Sequence, residues 1–135
     1  MSDKIEGKRF IKFKTHVNWG IAPLPTTTFR LMAGIASETV RIFHTRGQTR
    51  NVIAIKVPSG SLEHWLGVML RLRGQTDLSH TFFNIEDGNT CDLWVQNCEN
   101  KFHLEWMGEA PSPLMPVNEF TNWLYDLLPA GWGDD

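Results

Sequence analysis

The chain has 135 residues, 41% of them hydrophobic and 21% charged, enough to bury a core within one domain over 1–135 and too apolar for a disordered chain. No run approaches the roughly 20 apolar residues of a membrane span, and the first twenty residues, MSDKIEGKRFIKFKTHVNWG, hold no continuous apolar stretch that would serve as a signal peptide. Cys91 and Cys98 alone make no disulfide framework, so a reducing, cytoplasmic setting is expected.

The net charge of -2 conceals a division. Residues 1–75 carry 12 of the 13 Lys and Arg against the four acids Asp3, Glu6, Glu38 and Glu63. Residues 76–135 carry Lys101 against 11 acids, so the two halves stand at +8 and -10. Such asymmetry points to a polyelectrolyte or an oppositely charged protein partner, unless both halves intermix in one fold and cancel locally.

In chain order, period-2 alternation predicts strands over about 9–57. In Arg9–Lys14, Ile11 and Phe13 share a face with Arg9, while Lys12 and Lys14 share the other with Phe10. Thr27–Ala33, Thr39–Thr45 and the β-branched Asn51–Val57 follow, and Arg46–Arg50 (RGQTR) forms a glycine-containing hairpin connection. Over about 61–73, Leu62, Trp65, Leu66, Met69 and Leu70 follow the i, i+3, i+4, i+7, i+8 spacing of a helical stripe. Ser61 serves as N-cap, Glu63 suits the positive end, Arg71 and Arg73 suit the negative end, and Gly74 stops the helix. A three-stranded meander over about 81–106 comprises Thr81–Ile85, Cys91–Gln96 and Lys101–Trp106, with turns at 86–89 and 97–100. The last helix, about 118–128, is capped by Asn118, carries Phe120, Trp123, Leu124, Leu127 and Leu128, and ends at Pro129.

The two helices share Pro-x3-[Leu/Phe]-x2-Trp-Leu-x3-Leu, starting at Pro58 and Pro116. A second echo, Gly-x-Ala-Pro-x-Pro at Gly20 and Gly108, recurs at a different separation, so convergence on one apolar payload is simpler than duplication. The expected fold is α+β: a predominantly antiparallel sheet of about six to seven strands with two amphipathic helices packed on one face.

Catalytic signatures are weak. The donors His16, His44, His64, His80, His103, Cys91 and Cys98 show no zinc spacing, so no metal site and no cofactor are expected. Cys91 shares parity with Leu93 and Val95 and reads as a small buried hydrophobe. Ser59-Gly60-Ser61 fits helix capping better than a nucleophile turn. Asp92 and Glu105, with His103 near, can be imagined as paired carboxylates, but alternation places them on what reads as a solvated sheet face. A non-enzymatic binding protein is the expectation. In its leading form Asp87, Asp92, Trp94, Glu99, Glu105 and Glu109 form an acidic meander that holds a basic protein partner, with Trp94 as anchor. In element order and composition the chain resembles the small α+β immunity and host-defence-inhibitor proteins of bacteria and phages, and that resemblance implies protein binding without carrying any residue across. The alternative is a nucleic-acid-binding module using Lys12, Lys14, Arg41, Arg46, Arg50 and Lys56 around the basic hairpin, with Phe43 or Trp19 as a stacking face.

Overall fold

Alternating side chains make a strand stable only when one face finds a core, and here five pairings satisfy that demand together. The computed structural model describes residues 9–16, 25–33, 37–75, 90–98, 100–107 and 114–130. Among them are six strands and two helices: β1 (Arg9–His16), β2 (Thr26–Ala33), β3 (Glu38–Arg46), β4 (Thr49–Val57), α1 (Ser61–Gln75), β5 (Thr90–Asn97), β6 (Asn100–Met107) and α2 (Met115–Tyr125). The strands form one sheet in the order β4-β3-β2-β1-β5-β6 with every neighbouring pair antiparallel. No helix among the described residues is long and apolar enough to cross a membrane.

One residue parity builds the core. Ile11 lies between Leu31 and Val95, and Phe13 between Phe29 and Leu93, in register across the sheet. These residues are buried together with Val40, Ile42 and Leu104, and Leu66, Met69, Phe120 and Leu124 from the two helices belong to the same cluster. Each such side chain contributes about 1.5–3 kcal/mol. Phe13 is the aromatic centre, with ring centroids 5.9 Å from Phe29, 6.0 Å from Trp106 and 6.0 Å from Tyr125. The matching Trp-Leu motifs meet: Trp65 lies 5.1 Å from Phe120 and 5.7 Å from Trp123.

The helix ends differ from expectation. Ser61 is not the N-cap of α1, because its hydroxyl donates to the Pro58 carbonyl at 2.6 Å. Glu38, delivered from β3, does the capping instead: its carboxylate accepts from the Gly60 N–H at 2.9 Å and the Leu62 N–H at 2.7 Å, placing a negative charge at the positive helix end. Glu63 in the first turn pairs with Arg9 at 2.6 Å. Gly74 does not stop the helix, which runs to Gln75, and Leu72 rather than Leu70 is buried on the stripe. The second helix begins three residues earlier than expected, with Leu114 at the cap and Pro116 in its first turn, where the fixed φ of proline is an advantage. Asn118 is therefore inside the helix, its carbonyl accepting from Thr121 Oγ1. Leu127 and Leu128 lie beyond the α-helix in a tighter turn, their N–H groups donating to Leu124 and Tyr125, and both still pack on the core.

Two hairpins place a residue at positive φ in the turn. Arg46 pairs with Thr49 around a two-residue turn in which Gly47 has φ +61°, a conformation that costs glycine nothing. Asn97 pairs with Asn100, and Cys98 takes φ +59°. The proposed strand Thr81–Ile85 and its turn at 86–89 lie outside the described residues, as does most of both proline echoes. The expected meander is corrected in one respect: β5 is flanked by β1 and β6, so its pairing partner on the far side from β6 is a strand some 80 residues earlier.

Candidate functional site

Residues of the other parity form the second face of the sheet, and register shows which of them are neighbours. One row reads Arg41, Arg30, Lys12, Trp94, His103 across β3, β2, β1, β5 and β6. The next reads Phe43, Thr28, Lys14, Asp92, Glu105 over the same strands. Lys56 stands opposite Thr39, and Arg50 opposite Thr45. Over β1 to β4 this face carries six cations, Lys12, Lys14, Arg30, Arg41, Arg50 and Lys56, and no carboxylate. Among the described residues, no Asp or Glu forms an ion pair with any of the six.

Adjacent strands are about 4.8 Å apart, and like charges directly opposite one another destabilise a sheet. Three cations in one row therefore cost stability. At Lys12, burial first, then the Arg30 guanidinium and the Lys14 ammonium, push the ammonium below the ordinary lysine pKa, with Asp92 pulling the other way.

Aromatic rings brace the cations. Lys12 Nζ sits 4.7 Å from the Trp94 ring centroid, and the His103 imidazole lies parallel to the same indole at 4.7 Å and 4°. Lys12 and His103 come from the strands on either side of β5, and both lie against the Trp94 ring. His103 Nε2 is 2.8 Å from Asp92 Oδ1, and Asp92 keeps 15% of its side-chain exposure. Arg50 lies over Phe43 at 5.1 Å. Each such contact contributes about 0.5–1 kcal/mol at exposed sites.

Three shallow hollows line this face. One, of about 180 Å³, is bounded by Phe10, Lys12, Arg30, Met32 and Trp94. A second, of about 380 Å³, lies between Lys14, Phe43 and Arg50 and shares Lys12 and Arg30 with the first. The third, about 250 Å³, continues past Trp94 to Phe102 and His103. Neighbouring hollows share lining residues, Phe10 and Trp94 between the third and the first, Lys12 and Arg30 between the first and the second.

The nucleic-acid candidates Lys12, Lys14, Arg41, Arg50 and Lys56 thus converge on one face, whereas Arg46 has the opposite parity at the hairpin turn. Arg30 was not among the candidates, yet it occupies the centre of the cationic row. Its parity, opposite to Phe29 and Leu31, marks it as facing away from the core, and the β1–β2 pairing then sets it beside Lys12. Of the acidic candidates, Asp92, Trp94 and Glu105 share this same face, and Asp87, Glu99 and Glu109 lie outside the described residues. His103 and Asp92 form a close acid–imidazole pair, and the imidazole is also stacked on the indole.

Elsewhere, Cys91 is buried, with burial raising its thiol pKa and its Sγ 3.7 Å from Thr15 Oγ1, an arrangement that disfavours a reactive thiolate. Among the described residues no three His, Cys, Asp or Glu side chains come together as a metal cage. Comparison with known proteins finds no protein-family model that matches the chain, no matching curated protein and no matching solved structure.

Proposed function

We propose that both helices cover the Ile11–Phe13 face of the sheet and that the second face binds nucleic acid through its phosphate backbone, with no chemistry performed on it. The observation that carries this reading is the set of six cations without a carboxylate over β1 to β4. Such an array lowers the stability of the free protein and gains when a repeating anion neutralises it. Three of the six are arginines, whose planar fork suits phosphate oxygens, and two cations are held in place by aromatic rings before any ligand arrives. The overall pI of about 6.2 does not oppose this, because the acidic residues of the described strands are few on this face.

Affinity for labelled oligonucleotides tests the reading. If all six cations engage, log K falls with log salt with a slope of about -4 for a single strand, and each cation removed reduces that slope by about 0.7. Arg30→Gln and Arg41→Gln weaken binding across all sequences alike. Absence of binding to single-stranded and duplex oligonucleotides at low salt sinks the proposal.

An inhibitor or immunity-type role, in which Asp92, Trp94 and Glu105 hold a basic protein, is the second reading. The hollow that Trp94 lines with Phe10 and Phe102 supports it. Engagement of Asp92 by His103 and the cations across the sheet weigh against it. A pull-down in which Trp94→Ala recovers every protein that the wild type recovers would eliminate it.

A further inference from the structure

The hollow bounded by Phe10, Lys12, Arg30, Met32 and Trp94 has a composition that phosphate binding alone does not require. Two of its walls are apolar side chains, Phe10 and Met32, which stand directly opposite each other on β1 and β2. One row further along the same strands, Lys12 and Arg30 stand opposite each other in the same way. Trp94 lines the side toward β5, with Lys12 and His103 against its ring. At about 180 Å³ the hollow is smaller than the roughly 300–1,000 Å³ of sites that enclose drug-sized ligands, and suits a single planar ring system.

We infer that this hollow takes one unstacked nucleobase, with the adjoining phosphate on Lys12 and Arg30, so that the face selects a single strand over a duplex. The inference rests on the nucleic-acid reading of the second face and deepens it. A base in a duplex has both of its faces covered by neighbouring pairs and cannot enter; a base in a single strand can leave its stack and bury a face against Phe10 and Met32. The phosphate that follows it lies one residue pair along the strands, where Lys12 and Arg30 face each other across β1 and β2. Lys12 is crowded by Arg30 and Lys14 in the free protein, so an anion placed there relieves that crowding. With apolar walls, contact is made through the ring face, which every base possesses, and little preference among bases is expected.

The test compares three labelled probes of equal length: a single-stranded oligonucleotide, the same backbone with abasic sites throughout, and a duplex. The wild type should bind the base-bearing strand about 5- to 150-fold more tightly than the abasic one, the range that stacking of one base on an aromatic side chain provides. Phe10→Ala and Met32→Ala should each shrink that ratio toward one while leaving the salt slope unchanged, since no cation is lost. Met32→Ala serves as the second variant should Phe10→Ala fail to fold, with circular dichroism as the check. Equal binding of the base-bearing and abasic strands, or an undiminished ratio in a folded variant, overturns the inference while leaving the phosphate-binding face standing. Failure of every probe to bind at low salt overturns both.

Discussion

Arg30 stands directly between Arg41 and Lys12, so replacing it with glutamine removes two like-charge contacts at once while retaining most of the stem. If the charged ends splay to roughly 8 Å, each contact costs about 0.5 kcal/mol in water, within the 0.2–1 kcal/mol range of cross-strand charge pairs. Arg30→Gln should therefore stabilise the protein by about 1 kcal/mol at low ionic strength, a rise of roughly 3–6 °C in Tm for a chain of this size. The gain should shrink at high salt, since at 1 M the screening length of about 3 Å is shorter than the charge separation. Arg50→Gln is the control: its register partner is Thr45 and its guanidinium lies on Phe43, so its loss should cost about 0.5 kcal/mol or nothing. Denaturant unfolding at low and high salt reads both variants. A destabilised Arg30→Gln, or a gain indifferent to salt, would refute the argument that the cationic row is a burden on the fold.

Other consequences follow from the core and the helix ends. Glu38→Ala removes two charge-assisted hydrogen bonds from the start of α1 and should cost about 1–2 kcal/mol, the range of a lost N-cap at a partly exposed site, read by chemical denaturation; a neutral outcome would mean water replaces the carboxylate. Phe13→Ala empties the space shared by Phe29, Trp106 and Tyr125 and should cost about 3–5 kcal/mol, and a loss below 1 kcal/mol would contradict the placement of the core. Tyr125 is the sole tyrosine, so phenolate absorbance reports on it alone. Burial first, then the neighbouring Cys91, push its phenol up to about 12. Because the folded state holds this proton more tightly than the unfolded chain does, the associated stability is complete below pH about 10 and is lost as pH rises through about 12. A folded-state midpoint near 10 would show that the hydroxyl is in water.

What the sequence discloses and what it conceals can be traced to single residues. Alternation from Ile11 to Thr15 and from Cys91 to Val95 is legible because a half-buried strand needs it, and the burial of those residues follows it strictly. Trp65-Leu66 and Trp123-Leu124 are likewise legible as inward helical residues, although not that the two motifs would meet. Register and long-range strand order are not legible. Nothing local to Arg9–His16 says that its partner on one side is Thr90–Asn97, and without that pairing Lys12, Trp94 and His103 cannot be seen as one stack. The +8 charge of the first 75 residues pointed toward a surface, but only the pairing of β1 with β2 and β2 with β3 aligns Arg41, Arg30 and Lys12. Glu38 escaped notice for the same reason: it caps a helix that begins 23 residues later in the chain.

The acidic half of the chain is less separable than its composition suggests. Asp92 and Glu105 share the second face with the cations, yet both lie on β5 and β6, so the face grades from purely cationic over β1 to β4 to mixed beyond β5. On the nucleic-acid reading proposed above, a strand following the hollows from Phe43 toward Trp94 would meet the cations first and the hollow beside Phe10 at the boundary, and Asp92, paired with His103, would oppose anionic backbone toward β6.

Amide and side-chain NMR shifts, recorded while a short single-stranded oligonucleotide is added at low salt, locate the face that binds it. Perturbations should concentrate on Lys12, Lys14, Arg30, Arg41 and Phe43, spread to Trp94, and leave Leu66, Met69 and Phe120 in the helices unmoved. Perturbations centred on the helices, or none at saturating oligonucleotide, would contradict the proposed nucleic-acid face.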